Sequence, residues 1–170
     1  MNTKVLHKIS YGMFIVSSKD GDKINGQIAN TCFQVSSEPP LIAIALNKNN
    51  LTHSYVEKSG VFSVSILTEE ASFKFIGIFG FRSGKDFNKF EGINYKIGET
   101  GSPIILDYTL GYIEAKVVNK LDVGTHTIFI GEVIAGDIFN DKKPMTYDYY
   151  HNVVKGKSPS TAPTYIKENK

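Results

Sequence analysis

The tetrapeptide Lys19-Asp20-Gly21-Asp22 stands between two runs, residues 11–17 and 23–33, rich in β-branched and aromatic side chains. Glycine accepts the positive φ of a tight turn at no steric cost, so the spacing predicts two antiparallel strands joined there. Four further runs of strand type follow, at residues 41–46, 61–66, 110–118 and 127–137. Helical patterning falls only between strands: residues 51–58 with Asn49 and Asn50 as caps, 69–79 after Thr68, and 145–154. A βαβαβ nucleotide fold needs regular alternation and a Gly-rich turn opening its first helix, and neither is present. The expected class is mainly β, an antiparallel barrel carrying a few helices.

No internal repeat or low-complexity linker divides the 170 residues, which predicts one domain over 1–155 and a C-terminal arm over 156–170. A net charge of +2, spread evenly, lacks the basic stripe that neutralises phosphates, so no nucleic-acid partner is expected. The single Cys32 cannot close an intramolecular disulfide or supply a Cys-x-x-Cys site, and no pair of histidines has zinc-type spacing. A metal is not expected. The apolar runs are of strand length and residues 1–8 show no leader pattern, which predicts a cytoplasmic protein with no membrane anchor.

Two polar segments suit an anion. In Gly80-Phe81-Arg82-Ser83-Gly84-Lys85-Asp86 the glycines are one residue too close for a nucleotide phosphate loop, and Asp86 replaces the Ser or Thr that magnesium requires. What remains is positive charge from Arg82 and Lys85, a hydroxyl from Ser83 and a glycine that lets backbone N–H groups approach, all suited to a phosphate monoester; a solvated charged turn explains the same residues. The second segment, Asn47-Lys48-Asn49-Asn50-Leu51-Thr52-His53, ends a strand and opens a helix, so its polar groups and helical N–H groups can face an anion. Upstream, Asn25-Gly26-Gln27-Ile28-Ala29-Asn30-Thr31-Cys32 carries amides and a hydroxyl along a strand, groups able to read the edge of a planar heterocycle. His126 begins an apolar strand after a turn, where it suits a structural role or an electrostatic one. A lone Cys32 packs as a small apolar residue unless a base activates it.

Taken in order, these segments resemble the FMN-binding flavin reductase family, and in particular the flavin reductase module of high-molecular-weight rubredoxins. The resemblance rests on Lys8-Ile9-Ser10-Tyr11-Gly12, the 25–31 segment, Ser37-Glu38-Pro39, Asn47-Lys48 with Asn50-Leu51-Thr52-His53, and Phe79-Gly80-Phe81. It continues through Val123-Gly124-Thr125-His126-Thr127, Gly131-Glu132-Val133, Pro144-Met145-Thr146-Tyr147 with Tyr149-Tyr150-His151, and Thr161-Ala162-Pro163-Thr164, spanning residues 6–166.

The resemblance implies a Greek-key split β-barrel that forms a homodimer and holds FMN non-covalently. Gln27, Ile28, Ala29, Asn30, Thr31 and Cys32 would line the flavin ring and ribityl chain. Asn47, Lys48, Asn50 and Thr52, with Arg82, Ser83 and Lys85, would hold the phosphate. His126 would act beside the flavin and the approaching nicotinamide, and Tyr147, Tyr150 and His151 would cover the site. The implied activity is electron transfer from NAD(P)H through FMN to rubredoxin, with a flavodiiron oxygen reductase downstream. The sequence has no paired Cys-x-x-Cys motif, so the rubredoxin would be a separate protein. Other readings are a flavoredoxin-like carrier without NAD(P)H activity, a diffusible-flavin reductase supplying a monooxygenase, and a flavin-free barrel.

Overall fold

A computed structural model describes residues 3–165. Ile166 and the remainder of the expected arm, 166–170, lie outside the described residues.

The hairpin predicted at Gly21 forms between β1 (Phe14–Asp20) and β2 (Lys23–Ala29): Asp20 pairs with Lys23, and Gly21 takes φ 59°. Next come β3 (Cys32–Ser37), β4 (Pro40–Asn47), α1 (Leu51–Ser59), β5 (Val61–Leu67) and α2 (Phe73–Gly80). The short pair β6 (Tyr95–Ile97) and β7 (Pro103–Ile105) precedes the long hairpin of β8 (Thr109–Asp122) and β9 (His126–Ile138), and α3 (Tyr147–Asn152) follows. The main sheet has seven strands in the order β2-β1-β5-β8-β9-β4-β3, every neighbouring pair antiparallel.

The order explains the barrel. β2 and β3 lie at opposite ends of the ladder, yet only Asn30 and Thr31 connect them. The three steps from Ala29 to Cys32 reach about 10–11 Å at most, roughly two strand spacings, so the sheet must curl until its ends meet without pairing. That is a split barrel. It also corrects the expected single strand over residues 23–33, which breaks at this corner.

The helices start where side chains cap them. α2 begins after Ser72, whose Oγ accepts the Phe75 N–H at 3.2 Å, and not after Thr68 as expected. α3 begins after Thr146, whose Oγ1 accepts the Tyr149 N–H at 3.0 Å, and is shorter than the predicted 145–154. α1 begins after Asn50, whose side chain makes no capping bond, and ends at Gly60 with φ 68°.

Two buried clusters fill the fold. Val16, Ile44, Leu46, Phe62, Val64 and Phe129 pack inside the barrel with Val56 of α1. Met13, Ile15, Leu67 and Met145 pack with Ile76 and Phe79 of α2 and Tyr150 of α3. Each such side chain contributes about 1.5–3 kcal/mol by leaving water.

Candidate functional site

A cavity of about 360 Å³ opens where β2, the end of β4, the N-terminus of α1 and the C-terminus of α2 converge. This is within the range of small-ligand pockets. Gln27, Ile28, Ala29 and Asn30 form one wall, and Asn47, Asn50 and Thr52 another. Arg82 and Ser83 stand at the loop after α2, His126 at the start of β9, and Tyr147 and Tyr150 on α3. The structure thus brings together twelve of the seventeen residues proposed from sequence.

Local bonding shapes each wall. Asn47 Oδ1 accepts the Asn49 N–H at 3.0 Å, a turn that presents the N-terminus of α1 to the cavity. No acidic residue occupies the first turn of α1, so its free N–H groups favour an anion. Asn25 Nδ2 donates to Thr52 Oγ1 at 2.8 Å, tying β2 to α1. Gly84 lies hard against this pair, and a Cβ there would sit 2.0 Å from Asn25 Oδ1. Arg82 lies over the Phe87 ring at 4.3 Å. Gln27 Oε1 is buried and, among the described residues, has no hydrogen-bond partner, although Gln27 lines the cavity. A buried acceptor left alone costs about 1–3 kcal/mol, so a ligand N–H belongs there.

His126 is buried, and burial lowers its pKa below the usual imidazole value. Its Nε2 lies 3.2 Å from the Thr161 carbonyl oxygen and its Nδ1 2.9 Å from Thr125 Oγ1. A carbonyl can only accept, which assigns the proton to Nε2 and leaves Nδ1 to accept the Thr125 hydroxyl.

Five expected residues sit elsewhere. Cys32 points from β3 into a separate apolar cavity with Phe33, Leu41 and Ile42, and burial pushes its thiol up to about 12. The corner at residues 30–31 carries it past the first cavity, so Cys32 does not share a wall with Gln27, Ile28, Ala29 and Asn30 as expected. Thr31, at the same corner, donates to Asn30 Oδ1 at 3.2 Å. Lys48 turns away to pair with Asp122 at 2.5 Å. Lys85 is exposed and does not line the cavity. His151 stands behind Tyr147, its ring edge-on at 4.3 Å, and is held by the Gly156 carbonyl at 2.9 Å.

Other lining residues went unnoticed. Residues 157–163 cross the cavity as a strap. Thr161 O accepts from Asn47 Nδ2 at 3.3 Å as well as from His126, Asn30 Nδ2 reaches Thr164 Oγ1 at 2.9 Å, and Thr164 Oγ1 donates to Tyr147 OH at 3.0 Å. The cover expected from residues 147–151 therefore includes this strap, supplied by the same chain. Asn25, Gly84 and Lys89 also line the cavity.

Among the described residues no cluster of three or more His, Cys, Asp or Glu could hold a metal, and no helix is long and apolar enough to cross a membrane.

A family model described as flavin reductase like domain matches residues 6–156. The high molecular weight rubredoxin of Moorella thermoacetica is 48% identical over 165 residues, covering 97% of this chain and 72% of that protein. The ferric-chelate reductase (NAD(P)H) of Archaeoglobus fulgidus is 47% identical over 167 residues, covering 98% of this chain and 99% of that protein. Among solved structures, the NADH:FAD oxidoreductase SgcE6 of Streptomyces globisporus C-1027 superposes with a TM-score of 0.75 at 26% identity, covering 84% of each chain.

Proposed function

Because the chain belongs to the flavin reductase-like domain family, we propose that it is an NAD(P)H-dependent FMN reductase that passes electrons to a separate rubredoxin. The observation that carries this reading is the partnerless Gln27 Oε1 in a cavity that also collects Arg82, Ser83, Asn50, Thr52 and the start of α1. A donor-seeking amide and an anion-seeking group of side chains fit a ligand with a polar heterocycle and a phosphate, as FMN has.

In this reading Gln27 accepts the N–H of the flavin's pyrimidine edge, and Ile28, Ala29 and Asn30 flank the ring. Asn50, Thr52, Arg82 and Ser83, with the helix N–H groups, hold the phosphate. When bound, FMN supplies the redox chemistry, accepting a hydride from the nicotinamide and releasing electrons to the acceptor. Neutral His126 offers its Nε2–H to the reacting edge once Thr161 O moves aside. Tyr147, Tyr150 and the strap exclude water. Thr31, Cys32, Lys48, Lys85 and His151 take no direct part.

Exposed apolar residues on the long strands and on β3, among them Phe33, Val118, Leu121 and Ile134, support a homodimer through that face. A flavodiiron protein is the proposed sink beyond rubredoxin.

A second reading keeps the same reductive half-reaction and gives the electrons to a ferric chelate. The Archaeoglobus relative, matched over 99% of its length, favours it. Anaerobic titration of the FMN-loaded protein with NADH or NADPH, followed by rubredoxin or a ferric chelate, separates the two. Bleached flavin followed by bleached rubredoxin is the expected result. Bleached flavin with only the chelate reduced would replace the acceptor, and flavin unbleached by either nicotinamide would remove the reductase.

A further inference from the structure

Lys89 is the most deeply buried cation of the cavity wall, with 5% of its surface exposed. It follows the anion-type loop at residues 80–86, and its side chain is buried. Its Nζ donates to the Gly26 carbonyl of β2 at 2.9 Å and to the Phe79 carbonyl of α2 at 3.2 Å. An ammonium has three N–H donors, and these two bonds leave one without an acceptor among the described residues. Among the described residues every ion pair is formed by another lysine: Lys48, Lys58, Lys120 and Lys142, all partly exposed.

A buried charge with no counter-ion costs several kcal/mol unless something pairs with it. Burial lowers the Lys89 pKa to about 8, and among the described residues no carboxylate pairs with its ammonium. Its two carbonyl partners are neutral dipoles, and they hold the Nζ at the junction of β2 with the end of α2. The residues beside that junction, Asn25, Gly80, Arg82, Ser83 and Gly84, line the cavity. They surround the position where the anion-type loop meets β2.

We propose that Lys89 is a specificity-determining binding residue, a buried counter-ion that makes the cavity select phosphorylated flavin over the same ring without its phosphate. The inference rests on the FMN reading above and adds a group to it. Arg82 at the rim is exposed and screened by water, whereas a contact from Lys89 is made in a desolvated wall where charge–charge hydrogen bonds are strongest. The two backbone bonds fix the ammonium before the ligand arrives, so little side-chain entropy is lost on binding.

The competing explanation is that Lys89 only clamps β2 to α2. The two differ in what a neutral ligand feels. Equilibrium fluorescence titrations of the intact protein and of a Lys89→Met variant with FMN and with riboflavin decide between them. Met matches the lysine stem in length and suits a buried site, and Lys89→Gln serves if the Met protein does not fold. The wild-type protein is expected to bind FMN more tightly than riboflavin. The substitution should weaken FMN roughly tenfold to a hundredfold, the size of one charge-assisted bond, and leave riboflavin within about threefold. A parallel fall for both ligands would assign Lys89 to the clamp and overturn the proposal while leaving the FMN site standing. Unchanged FMN affinity would overturn it equally. A wild-type protein that binds neither flavin would remove both the proposal and the function on which it rests.

Discussion

The Nε2 of His126 lies 3.2 Å from the carbonyl oxygen of Thr161, so the imidazole nearest the proposed reaction site is bonded to the chain's own C-terminal strap. The same carbonyl accepts from Asn47 Nδ2 at 3.3 Å, and Tyr147 OH bonds Ser158 and Thr164 of the strap. Site residues thus fasten their own cover. A Tyr147→Phe variant removes both of these bonds without changing the ring that lines the cavity. Loss of two hydrogen bonds of about 0.5–1.5 kcal/mol each should speed hydrogen exchange at residues 157–164 by roughly fivefold to a hundredfold, with β4 and β5 unaffected. Mass-spectrometric exchange on the full chain measures this.

Acid should loosen the fold through its histidines. Burial lowers the pKa of both His53 and His126 from the usual 6.5. A neutral form favoured by folding contributes stability that is complete above the unfolded value and is lost as pH falls through the folded one, because the unfolded chain then binds more protons. From the histidines, thermal midpoints should therefore decline from about pH 6.5 downward. A His53→Gln, His126→Gln double variant should show a shallower decline over the same range.

Cys32 should be slow to react. With its thiol pushed up to about 12, the thiolate fraction at pH 8 is roughly a thousandfold below that of an ordinary cysteine. Iodoacetamide labelling of the native protein should lag that of the denatured protein by a comparable factor. Cys32→Ala should leave flavin bleaching by NAD(P)H unchanged, since the residue faces the other cavity.

Gly84 should not tolerate a methyl group. A Cβ at this position would stand 2.0 Å from Asn25 Oδ1, and Asn25 also holds Thr52 through a 2.8 Å bond. Gly84→Ala should displace the loop from β2 and weaken FMN by roughly tenfold or more, on the order of 1–2 kcal/mol for a disturbed hydrogen-bonded contact, with little change in global stability. Titration of the variant beside its melting curve checks both halves.

What the sequence made legible was local. The turn at Gly21 and the β-branched runs state their own conformation, and Arg82, Ser83, Asn50 and Thr52 carry anion-seeking chemistry whatever surrounds them. The corner at Asn30 and Thr31 was not legible, because its conformation follows from closure of a seven-stranded sheet and the run of residues 23–33 reads as continuous. That one break sends Cys32 to a different cavity. Lys48 illustrates the same limit: its charge suits an anion, but Asp122, distant in sequence, captures it across the β8–β9 turn. Lys89 was hidden for the opposite reason, since a lysine in a charged stretch reads as surface and only the fold buries it. The strap was visible as Thr161-Ala162-Pro163-Thr164, yet nothing local tells such a segment where to lie.

The claim that the cavity between β2, α1 and α2 is the flavin site is tested most directly by a crystal structure of the protein with FMN. The account predicts density for the flavin in that cavity, its pyrimidine edge on Gln27 and its phosphate within hydrogen-bond distance of Arg82 or Ser83. Flavin bound elsewhere, for instance in the apolar cavity beside Cys32, with Gln27 Oε1 still without a partner, would contradict it.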